Sequence, residues 1–280
     1  MKKIFLLLFL AFFSILANAY DAFIDGIYYN LNTGTQVAEV CSGDNNYTGD
    51  VVIPSWVTYN DNKYQVTIIG EEAFLNSKIT SIFIPNSINK IGNNAFQGCE
   101  NLTSVNISDL AAWCRINFEN YRYSSFSSNP LKYAHHLCLN GEEIKDLVIP
   151  DSVTSIYQAA FYGCQGLESV TLPNNVYTIG DFVFYGCTNL AFVDISSTVN
   201  NIGYQAFEGC KNLSYVNISD LAAWCKIYFR FRYGYDISST SNPLFYAHRL
   251  YLNGEEIKDL VIPDNVTSIR EQTFLLCQSI

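Results

Sequence analysis

Two histidines and a cysteine stand almost side by side at His135, His136 and Cys138, and imidazole with thiolate is ordinary zinc chemistry. A structural zinc takes four ligands, however, and no close cysteine pair completes the set. The same stretch returns further along as His248, Arg249 and Tyr251, with only one of the three groups kept. A structural or surface role is therefore expected, with no metal and no cofactor. Cys164, Cys187 and Cys210 suggest thiol nucleophiles, yet they stand 23 residues apart each time. That ladder marks a repeat, and burial at its inward positions raises a thiol pKa and leaves it inert. Neither the GxSxG turn of a serine hydrolase nor the GxxxxGK[ST] phosphate loop occurs. No enzyme is expected, a hydrolase assembled from scattered residues being the remote alternative.

The elements that must position all these residues are repeated units. Strand-like LxxVxI stretches begin at Ile79, Leu102, Ile144, Leu167, Leu190, Leu213 and Ile257, with spacings of 23, 42, 23, 23, 23 and 44 residues. Each alternates apolar and polar residues at period two, as a half-buried strand does. A short VxxIG piece and an AFxGC turn follow. The two long spacings hold duplicated blocks at 108–143 and 219–256, in which NISDLAAWC is spelled at 106–114 and again at 217–225. Asp109 or Ser108 can cap a short helix through DLAAWC, and Asn140-Gly141, between two strand-like runs, reads as a hairpin turn. One unit cannot bury its apolar face alone, so the units must stack. The expected fold is a repeat solenoid over 71–280, mainly β with short helical turns. Residues 20–70 lack the period, contain a probable hairpin in WVTYNDNKYQVTII, and read as a small N-terminal β cap.

Residues 1–19 have the order of a secretory signal: Lys2-Lys3, an apolar run from Ile4 to Phe13, then Ala17-Asn18-Ala19 with cleavage expected after Ala19. That run is short of the ~20 residues of a spanning helix. The formal net charge of −10 becomes more negative when Lys2 and Lys3 leave. Nucleic acid and anionic membrane are disfavoured as partners, because both call for a basic surface. The ladder cysteines would lie about 4.8 Å apart in neighbouring strands. Their parallel side chains would hold the Cβ atoms beyond the ~3.8 Å that a disulfide prefers, so buried free thiols are expected. Six NxS/T sequons occur and carry no weight in this reading. The chain stops inside a unit at Ile280, where an open strand edge would be completed by further chain or by self-association.

The unit LxxVxIPxxVxxIGxxAFxGC, from Gly70 to Ile280, resembles the bacterial leucine-rich repeat surface proteins of the BspA type, and residues 20–70 resemble their N-terminal segment. The resemblance implies a right-handed leucine-rich-repeat coil. It also implies a secreted or cell-surface, adhesin-like role in which the chain binds a protein of a host, such as extracellular matrix, or of another bacterium. A carbohydrate-binding module is the alternative. No sorting region of the kind that anchors such proteins is recognisable.

The strand face is the candidate binding surface. With the first, fourth and sixth positions of LxxVxI inward, the third positions form one outward row of Ser81, Ser104, Asp146, Ser169, Phe192, Tyr215 and Asp259. The fifth positions form a companion row of Phe83, Asn106, Val148, Thr171, Asp194, Asn217 and Val261. Adjacent Phe192 and Tyr215 are candidate protein contacts, or else aromatics kept for cross-strand packing. The Tyr- and Phe-rich stretch NFENYRYSSF and its counterpart at 231–241 are a second candidate surface, or packing flaps.

Overall fold

The computed structural model describes residues 20–44, 46–120, 126–230 and 241–280. The signal-like 1–19 and most of the aromatic stretches between 121 and 240, namely 121–125 and 231–240, lie outside the described residues. Among the described residues no helix is long and apolar enough to cross a membrane.

The period-two alternation of LxxVxI becomes short strands that stack in parallel. Phe192–Ile195 and Tyr215–Ile218 each alternate half-buried and buried positions. Ser169 pairs with Phe192 and Phe192 with Tyr215, so each strand lies beside its copy 23 residues on without a slip. Val170, Val193 and Val216 are fully buried behind this face. The short VxxI pieces form a second parallel ladder, Ser155–Ile156, Thr178–Ile179 and Asn201–Ile202, which Tyr228–Phe229 of the second duplicated block joins. Between the ladders the AFxGC turns stack their rings, with Phe184 5.5 Å from Phe161 and 5.2 Å from Phe207. Cys187 Sγ donates to the Phe161 carbonyl at 3.2 Å and Cys210 Sγ to that of Phe184 at 3.1 Å. The ladder cysteines thus fill core volume and satisfy a carbonyl one unit back. None of the nine cysteines is in a disulfide. Glycine is required where neighbouring turns touch: a Cβ on Gly203 would sit 2.4 Å from the Asp181 nitrogen.

Strands from the first seventy residues enter two further sheets, built from the earlier units. Thr48–Val52 pairs in parallel with Lys78–Ile84, and Asn62–Ile69 with Lys90–Ile91. The hairpin expected in WVTYNDNKYQVTII joins Trp56–Tyr59 to Asn62–Ile69. Its turn residues Asn60 and Asp61 both have positive φ, the geometry that matches strand twist.

The duplicated blocks overturn one expectation. Asp109 caps Leu110–Trp113 by accepting from the Ala112 nitrogen at 3.0 Å, and Asp220 does the same for Ala223 at 2.9 Å. Beyond it the chain does not simply rejoin the next LxxVxI strand. The helix Leu131–Ala134 ends on His135 in the left-handed region, and Leu137–Leu139 then lies in parallel beside Ser104–Ile107. Leu250–Leu252 lies likewise beside Tyr215–Ile218. Each block therefore adds a strand of its own to the strand face and closes it with an Asn-Gly hairpin to Glu142–Glu143 or Glu255–Glu256. The outward rows are consequently not continuous. Ser104 is followed by His136 rather than Asp146, which opens a separate sheet. Asp259 and Val261 lie in no strand.

Buried amides hold these blocks in place. Asn129 donates from Nδ2 to the Ala159 carbonyl at 2.7 Å, while its Oδ1 accepts from the Leu131 nitrogen at 2.8 Å. Asn242 repeats both roles toward Gln272 and Leu244 at 2.6 and 2.9 Å.

Candidate functional site

The strand face divides into two patches, one per sheet. Ser81, Phe83, Ser104 and Asn106 share the first, with Ser81 beside Ser104 and Phe83 beside Asn106. Asp50 and Val52 precede them, and Cys138 follows Asn106. Asp50 accepts hydrogen bonds from the Ser81 and Thr80 hydroxyls at 2.7 and 2.8 Å. These hold its carboxyl below the usual carboxylate range.

Ser169, Thr171, Phe192, Asp194, Tyr215 and Asn217 share the second patch. The rings of Phe192 and Tyr215 stack 5.1 Å apart and 3° from parallel. Tyr251, on the strand hidden in the duplicated block, lies 4.8 Å from Tyr215 at 42°. All three are half-buried. Burial first, then the charge of Asp194 and the neighbouring Tyr251, keep the Tyr215 phenol above its ordinary range. Beside the rings runs a polar ladder: Asn217 Nδ2 donates to Asp194 Oδ1 at 2.9 Å, and Asn217 Oδ1 accepts from the Gly254 nitrogen at 2.9 Å. Thr171 Oγ1 reaches Asp194 Oδ2 at 3.5 Å. At the far edge, Ser169 donates to Asp146 at 2.5 Å. The ladder fixes the strand face on which the rings stand.

Sequence reasoning missed Tyr251, Arg249, His136 and Cys138 on this surface. Their signal was present in Leu137-x-Leu139 and Leu250-x-Leu252, each alternating and followed by Asn-Gly. The two adjacent histidines do not converge. His135 Nδ1 lies 2.9 Å from the Gly163 carbonyl, and His136 Nδ1 lies 2.6 Å from Glu143 Oε1. Arg249 and Glu256 take up the same positions in the second block, 3.8 Å apart.

Comparison with known proteins places this geometry in a family. The chain is similar to a leucine-rich repeat protein from Bacteroides ovatus, at 28% identity and a TM-score of 0.51, over 88% of this chain and 60% of that one. It is also similar to a leucine-rich cell surface protein from Faecalibacterium prausnitzii, at 28% identity and a TM-score of 0.48, over 73% of this chain and 56% of that one. The chain thus spans less than two thirds of the length of either. No curated protein matches it. The family model for the BspA-type leucine-rich repeat region matches six copies, over residues 56–136, 132–229 and 246–280. The chain belongs to the BspA-type leucine-rich repeat family.

Proposed function

We propose that the protein is secreted or displayed at the cell surface and recognises another protein noncovalently through its strand face, in the manner of an adhesin. In this reading residues 1–19 are a signal peptide cleaved after Ala19. The stacked units form a right-handed solenoid whose N-terminal end is capped by residues 20–70. Membership of the BspA-type family supports a binding role over an enzymatic one, and the partner is a protein of a host, such as extracellular matrix, or of a neighbouring bacterium.

The observation that carries the reading is the Phe192–Tyr215 stack with Tyr251 beside it. Half-buried aromatics on a rigid strand face lose little conformational entropy on contact and supply large apolar area. The near-parallel stack also bears on what they contact. Phe192 and Tyr215 spend a ring face on each other, and Tyr215 has Tyr251 on its other side. A sugar stacks on an open ring face, whereas an apolar protein side chain packs well against edges. Pull-down against matrix proteins beside a glycan array tests this, with Phe192→Ala/Tyr215→Ala as the paired variant. Protein capture lost in the variant, with its unfolding midpoint unchanged, supports the reading. Glycan binding without protein capture would replace it with carbohydrate recognition.

A further inference from the structure

The two duplicated blocks, each taken with the two LxxVxI strands that immediately precede it as one copy, provide an internal comparison of the strand face with itself. Behind the face the copies hardly differ. Val105 and Val216, Ile107 and Ile218, and Leu137 and Leu250 occupy equivalent inward positions and are all buried. On the face they diverge, and mostly in one direction. Where the first copy has Ser81, Ser104, His136 and Cys138, the second has Phe192, Tyr215, Arg249 and Tyr251. Only Phe83 against Asp194 runs the other way. Among the described residues no ring stacks on Phe83, whereas the three rings of the second copy form one contiguous group. The scaffold does not require these rings, because the first copy builds the same strands without them.

Arg249 completes the group. The pairing of Val216 with Leu250 puts it beside Tyr215. Its side chain is 62% exposed and only 3.8 Å from Glu256, which leaves most of its donors to solvent. Tyrosine and arginine are the residue types that dominate protein contacts energetically. The surroundings carry more negative than positive charge: Asp146, Asp194, Glu168 and Glu256 stand against Arg249 and Lys145, and Lys145 is already bound to Glu168 at 3.2 Å. Such a field favours a basic partner.

We propose that recognition is centred on the second copy, where Phe192, Tyr215, Tyr251 and Arg249 receive a polypeptide segment carrying an apolar side chain flanked by lysine or arginine. This rests on the protein-binding reading above and assigns its contact centre and the chemistry of its partner.

The test uses a displayed library of random peptides selected on the whole chain. Convergent peptides pairing an apolar residue with Lys or Arg are expected. Affinity should fall roughly tenfold or more in Tyr215→Ser/Tyr251→Cys, which installs the residues of the first copy. A selected peptide bearing a photoreactive group, applied to the unaltered protein, should label residues 192–251, and this measurement stands even if the variant unfolds. Labelling of 81–138 instead, or undiminished affinity in a folded variant, overturns the assignment to the second copy while leaving protein binding intact. Convergent peptides that are acidic overturn the partner chemistry. Failure to select any convergent peptide removes the protein-binding reading itself, and this assignment with it.

Discussion

The indole nitrogen of Trp113 donates to the backbone carbonyl of Ala160 at 2.9 Å, across 47 residues of sequence. Trp224 repeats the bond to Thr273 at 3.1 Å. The two are not equivalent, because the Thr273 carbonyl also accepts from Asn242 at 3.2 Å. Replacing Trp113 with Phe removes the donor and leaves a buried carbonyl unpaired, at about 1–3 kcal/mol besides the lost ring volume. Trp224→Phe leaves Thr273 one partner and should cost less. Urea unfolding of the two variants checks this, and equal losses would count against the bond as the cause.

Much of this architecture was legible because stacking reuses one spelling. The 23-residue spacing of Leu167, Leu190 and Leu213 appears directly as the register joining Ser169, Phe192 and Tyr215. The short helix, which either Ser108 or Asp109 can cap and Asp109 does, and the hairpin at Asn140-Gly141 were equally local and readable. What escaped was that the first strand of that hairpin, Leu137–Leu139, three residues long and without the LxxVxI spelling, lies in parallel beside Ser104–Ile107 on the strand face. It is placed by long-range contacts: Asn129 ties the preceding turn to Ala159, and His135 turns the chain through a left-handed conformation. Neither has a period to betray it. The error carried into the candidate site, where Tyr215 was given Asp259 as its next neighbour and Tyr251 was left off the strand face.

The polar ladder predicts a local change in dynamics. Asp194 holds Asn217, and Asn217 in turn accepts from the Gly254 nitrogen at the hairpin turn. Asp194→Ala should lower stability by only about 0.5–1.5 kcal/mol, since the site is half-buried and water can replace the lost acceptor. Asn217 would lose its anchor, and hydrogen exchange at the Gly254 amide should quicken while the buried Val216 amide stays protected. Unchanged exchange at Gly254 would show that the ladder does not position the turn.

Thiol accessibility should separate the cysteines into two groups. Cys138 and Cys277 are half-buried, and the other seven are buried. A polar disulfide reagent at neutral pH should modify at most these two in the native protein and all nine in denaturant. Rapid native modification of Cys187 would contradict its place between the Phe rows.

The same burial makes stability fall in alkali. Desolvation raises the Cys114 and Cys164 thiols to about 12 and holds Cys187 and Cys210 well up too. An unfolded thiol ionises near ~8.5. Below that pH both states keep their protons, so the thiols add no pH dependence there. Above it the unfolded chain releases protons that the folded chain retains, and stability drops as pH rises toward the folded values. Each fully suppressed thiol contributes a slope of about 1.4 kcal/mol per pH unit. Because several act together, the urea midpoint should be level from about pH 7 to 8 and descend steeply from about pH 9. Cys187→Ala should make the descent shallower, since one suppressed ionisation is gone even though the variant starts less stable. A midpoint that stays level to pH 10 would mean these thiols are not held away from water by the stacked units.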